Sequence, residues 1–213
     1  MKRISQMTWL LGVALLLFIA APGFADSVTF STTGTFSGGV CGASTSACNT
    51  GSGVELSFDG LTNATVTPDQ PGKGGTLFTF NSLGNFVASA GSLTDFDGVS
   101  FTLNISQSDP AASPSSGDLL ASLSGSLQTT SSGTEVIFSN PTSITLGGVT
   151  YQISSFTMDG PGVVLSPSTT NGGITTLQGK ISEAVTAPEP SAMLLLGSGL
   201  LSLAGLRKRL FSI

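Results

Sequence analysis

The chain has 213 residues, with twelve acidic and seven basic side chains, no His, two Cys and one Trp. Five of the seven cations, Lys2, Arg3, Arg207, Lys208 and Arg209, stand near the two ends, so residues 26–186 carry eleven carboxylates against only Lys73 and Lys180, a formal charge of −9. A body this acidic repels phosphate backbones, whose binding needs Lys and Arg to displace condensed counterions, and nucleic acid is excluded as a partner. Without His there is no Ser-His-Asp triad, no Cys-His pair and no imidazole metal ligand. No catalytic residue, metal site or cofactor is assigned, and an enzyme is not expected.

At the amino end, Lys2 and Arg3 precede the almost wholly apolar stretch Met7–Ala21, which runs into a Pro22-Gly23 break and the small residues Gly23 and Ala25. This pattern predicts a helical signal peptide over residues 1–25, removed by signal peptidase after Ala25. The apolar run is short for a retained membrane anchor. Export places Cys41 and Cys48 in an oxidising compartment, where they are predicted to form a disulfide across the segment CGASTSAC. A redox pair would normally have two intervening residues, and no further Cys or His completes a metal site.

From Val28 onward, apolar residues recur at every second position, the period of a pleated strand with one buried face. Val28, Phe30 and Phe36 share one parity, as do Val54, Leu56 and Phe58; in VSFTLNIS, Val99, Phe101, Leu103 and Ile105 alternate with polar neighbours. Leu119, Ala121, Leu123 and Leu127 continue the pattern. Turn chemistry separates the runs, as in TPDQPGKGG, SDPAASPSSGD and LSPSTTNGG. In SITLGGVTYQI, Gly147-Gly148 supplies the positive φ angles of a two-residue hairpin, which pairs Leu146 with Val149 and Ile144 with Tyr151 on one buried side. The whole predicts an all-β fold, an antiparallel β-sandwich or jelly-roll-like single domain over residues 26–186.

Few residues of the body suggest chemistry. Asp95 and Asp97 in TDFDG could offer oxygens to Ca²⁺, although the complete EF-hand loop is missing. Asn63-Ala64-Thr65 and Asn104-Ile105-Ser106 fit the glycosylation triplet, a pattern that arises by chance in a chain rich in Ser and Thr. A glycosidase-like pair could be drawn from Asp59, Asp95, Asp97, Asp109, Asp118 and Asp159, but the sequence singles out no two of them. Sugar stacking would need exposed rings, and Tyr151 and the Phe residues stand mostly at core parity.

After Val185 the chain reads TAPEPSAMLLLGSGLLSLAGLRKRLFSI. Pro188 and Pro190 stop any strand and hold Glu189 on an extended backbone. Next come the fifteen apolar and small residues Ala192–Leu206 and the cluster Arg207, Lys208, Arg209. As a helix those fifteen residues reach about 22 Å, short of the roughly 30 Å hydrocarbon core, which suits a transient membrane anchor. The cations stay cytoplasmic by the positive-inside rule, leaving Pro188-Glu189-Pro190 outside with the body.

In the order of these three parts the tail resembles the PEP-CTERM sorting signal of Gram-negative bacteria. The resemblance implies a sorting region over residues 187–213 with a transmembrane helix at 191–206. It further implies recognition of Pro188-Glu189-Pro190 by a membrane-embedded exosortase in cells that make extracellular polysaccharide. The resulting expectation is an exported structural protein, tethered to the inner membrane in transit and then held at the cell surface or in an exopolysaccharide matrix. The alternative is a Ca²⁺-assisted carbohydrate-binding or adhesive module.

Overall fold

The computed structural model describes residues 27–184, apart from 52 and 73–75, together with Gly197. Residues Ala25–Ala184 form one compact unit. The predicted alternation appears directly as strands. Val28–Gly38 buries Val28, Phe30, Thr32 and Phe36, and Val99–Asp109 buries Val99, Phe101, Leu103, Ile105 and Gln107.

The strands assemble into two seven-stranded antiparallel sheets that share one apolar core. In the first the order is Gly162–Val164, Glu135–Phe138, Ser116–Ser124, Val99–Asp109, Val28–Gly38 and Gly42–Thr45, with Ala64–Val66 also on Val28–Gly38. In the second it is Ser143–Leu146, Val149–Ile153, Ile174–Ala184, Thr76–Ala88, Glu55–Asp59 and Ala47–Asn49, with Gln70–Pro71 also on Thr76–Ala88. The all-β, antiparallel class is the one read from the sequence, and the sheets curl as a half-barrel. Among the described residues of 27–184 the helical pieces are the 3₁₀ turns Gly39–Cys41 and Asn171–Gly173. Among the described residues no helix is long and apolar enough to cross a membrane. The expected signal peptide, its cleavage after Ala25 and the membrane helix at 191–206 lie outside them, save Gly197, which is helical.

The hairpin has the register expected of it. Ile144 pairs with Tyr151 and Leu146 with Val149, across Gly147 and Gly148 at φ 53° and 92°. Leu146, Val149 and Tyr151 are buried and Ile144 packs against them, because direct partners on antiparallel strands project to the same side.

One strand departs from simple alternation. In Thr76–Ala88 the pairing with Ile174–Ala184 slips, since Leu177 faces Gly84 and Gln178 faces Ser82, leaving Leu83 as the extra residue of a bulge. Gly84 has φ 130°, and a Cβ there would come within 2.4 Å of the Phe58 ring. The bulge reverses which side even-numbered residues face. Phe86 and Ala88 point into the core, whereas Phe78 and Phe80, of the same parity, point out on the far side of the sheet, with Phe80 54% exposed.

Two polar contacts join the sheets inside the core. Thr32 donates to the Leu83 carbonyl at 2.8 Å and accepts from the Leu61 N–H at 2.8 Å. Tyr151 packs edge-on against Phe30 at 5.4 Å, and its hydroxyl donates to Gln107 Oε1 at 2.9 Å. The Gln107 amide in turn donates to the Pro110 carbonyl at 2.6 Å. Burial pushes the Tyr151 phenol well above its ordinary value. The native state therefore keeps its proton where the unfolded chain loses it. Stability is unaffected below about pH 10 and falls as pH rises beyond it, by at most about 1.4 kcal/mol per pH unit. Tyr151 is the only Tyr in the chain, so tyrosinate absorbance during an alkaline titration should appear together with loss of the fold. Titration of the folded protein near pH 10 would contradict this burial.

Candidate functional site

Cys41 and Cys48 are joined, with Cα atoms 4.7 Å apart. The bond closes where the chain passes from Gly42–Thr45 of the first sheet to Ala47–Asn49 of the second, and Cys48 is fully buried. It acts as a clip on this crossover. A loop so short restricts the unfolded chain by about 2.5 kcal/mol on the chain-entropy estimate. Cys41→Ser with Cys48→Ser should lower stability by about 2 to 3 kcal/mol in denaturant titration, and reduction of the unmodified protein should match it.

Asp95 and Asp97 meet in one loop, where Thr94–Asp95 pairs with Ser126–Leu127. Asp95 Oδ1 accepts the Asp97 N–H at 2.9 Å, and Asp97 Oδ1 accepts the Gly125 N–H at 2.7 Å. Both side chains are exposed beside an open depression of about 450 Å³, lined by Leu93, Asp95, Asp97, Gly125 and Ser126. These hydrogen bonds shape the loop. Among the described residues no group of three His, Cys, Asp or Glu side chains comes together in a way that could hold a metal ion.

The other candidates are spread over the surface. Asp118 accepts the Asn104 amide at 2.7 Å, which holds the second glycosylation triplet within the first sheet. Asn63 stands exposed on a turn at φ 49°, its backbone N–H bound to Ser31 Oγ at 3.0 Å. The feature that sequence reading missed is the outward-facing pair of half-buried Phe78 and exposed Phe80, whose rings meet at 5.6 Å with Lys180 Nζ 4.4 Å from the Phe78 ring centre. Its signal was apolar residues at both parities in TLFTFNSLG, followed by a glycine able to turn the strand over.

The described residues thus form a disulfide-clipped β body, and the sorting residues Pro188, Glu189, Pro190, Arg207, Lys208 and Arg209 lie outside them. The PEP-CTERM protein-sorting motif matches residues 186–209, a span that holds all six. This is the signal of an exported protein routed through the membrane and processed by an exosortase. No curated protein and no solved structure matches the chain.

Proposed function

We propose that this chain is a non-enzymatic structural protein of the cell surface or exopolysaccharide matrix. On this reading signal peptidase removes residues 1–25, the tail holds the protein briefly in the inner membrane, and an exosortase then acts at Pro188-Glu189-Pro190. The observation that carries the reading is the sorting motif at residues 186–209. Support comes from the body itself: a disulfide suited to an oxidising compartment, and a described surface rich in Ser and Thr. A curled, antiparallel β body of this kind suits a spacer or matrix element.

Intact-mass analysis of protein recovered from the producing cells tests the proposal. The expected species lacks residues 1–25 and the apolar tail and retains the Cys41–Cys48 bond. Material that still ends in Phe211–Ile213 and stays in the membrane fraction would overturn it.

A further inference from the structure

The strand that leads toward the sorting motif ends in the middle of its neighbours. In Ile174–Ala184, Glu183 pairs with Val149 on one side and with Leu77 on the other, and Ala184 pairs with Thr76. Pro188 follows Ala184 by four residues, which span at most about 14 Å when fully extended. The flanking strands Ser143–Leu146, Val149–Ile153, Thr76–Ala88 and Gln70–Pro71 stand within two interstrand spacings, about 10 Å, of that strand. The loop 110–115 of the first sheet closes on the same end, where a Cβ on Gly147 would come within 2.8 Å of the Ala112 Cβ. Val28 opens the first strand here too, because its neighbour Thr29 pairs with Asp109 at the start of that loop. The segments read as entering the membrane, leader and tail, thus both join the body at one end.

We propose that this end of the body is the face that packs against the exosortase while the tail is cut, an inference that rests on the sorting reading above. A single helix is already about 10 Å across, so a membrane-embedded enzyme built of several is broader than the distance from Ala184 to the motif. Holding Pro188-Glu189-Pro190, it meets the hairpin tip Gly147–Gly148, the loop 110–115 and Gln70–Pro71. The face admits close approach, since Ala111, Ser113, Ser115, Gly147 and Gly148 are exposed, small and uncharged. An anionic lipid surface is the poorer occupant, because it draws cations and this end exposes Asp69 and Asp109.

Pulse-labelling of the producing cells, with tail-bearing and processed species resolved by mass, tests the face. Ala111→Trp with Ser115→Trp adds bulk there and should slow tail removal by about tenfold or more, since a small misplacement of the reacting bond is costly. Ala43→Trp with Ser92→Trp adds equal bulk at exposed positions of the opposite end and should leave the rate unchanged. An insert of about eight Gly and Ser residues between Val185 and Thr186 adds about 16 Å of reach and should restore the ordinary rate to the first variant. Urea titration and an intact Cys41–Cys48 bond check that both double variants are folded. A photocrosslinking residue placed at Ala111 should capture the exosortase. Unchanged processing of the first variant, equal slowing of the second, slowing that the insert does not relieve, or capture of lipid alone overturns the face and leaves the sorting motif standing. An unmodified protein that keeps its tail overturns the sorting reading, and the face falls with it.

Discussion

Replacing Pro188, Glu189 and Pro190 by three alanines should leave the exported protein with its tail still attached, shifting essentially all of it to the membrane fraction. The two prolines fix φ and remove two backbone donors, which disfavours both strand pairing and helix at these positions. A protease needs backbone free of strand and helix hydrogen bonds at its substrate, which prolines favour. Alanines favour helix, and a helix begun at residue 188 would draw the site toward the bilayer. Glu189 is the only charge between Glu183 and Arg207. Glu189→Gln keeps shape and removes that charge, so it should also block processing, whereas Asp159→Asn, at an exposed carboxylate in a loop of the body, should not. Intact mass and fractionation read all three. Normal release of the tail from the alanine variant would show that the motif is not what the protease recognises.

How far the sequence could be read depended on whether local pattern or long-range pairing decided each feature. The hairpin at residues 143–153 was legible to the register because two glycines set the turn and the turn sets the pairing. The disulfide was legible because only two cysteines exist. The sorting signal was legible because its parts follow one another along the chain and need no tertiary fold. Sheet membership was not legible. Gly42–Thr45 and Ala47–Asn49 are separated by one residue and belong to different sheets, because the first pairs back with Val28–Gly38 and the second forward with Glu55–Asp59. The outward turn of Phe78 and Phe80 was hidden for a related reason. Strict alternation gives Phe78, Phe80 and Phe86 one face, and it is the slip of pairing at Gly84 that divides them. In the same way, Asp95 and Asp97 could be seen to share a loop, but the partner that occupies Asp97, the Gly125 N–H, could not be foreseen.

Phe101→Ala should be the most damaging single change in the body, lowering stability by about 3 to 5 kcal/mol. Phe101 belongs to the first sheet and is fully buried. Its ring lies 5.0 Å from Phe36 and 6.3 Å from Phe138 in its own sheet, and 5.1 Å from Phe58 and 4.9 Å from Phe86 in the other. Gly34 makes room for this meeting, since a Cβ there would come within 2.5 Å of the Phe101 ring and 2.6 Å of Phe58. Truncation at 101 therefore removes apolar transfer energy and leaves four rings facing a void that two hydrogen-bonded sheets cannot easily close. For a body of this size the loss lowers Tm by on the order of 10 °C. Phe101→Leu fills most of the space and should cost well under half as much. Both are measured by urea titration, with an unchanged slope showing that the unfolded state is the same. A loss below about 1 kcal/mol for the alanine variant would mean that the two sheets are not held together through this ring cluster.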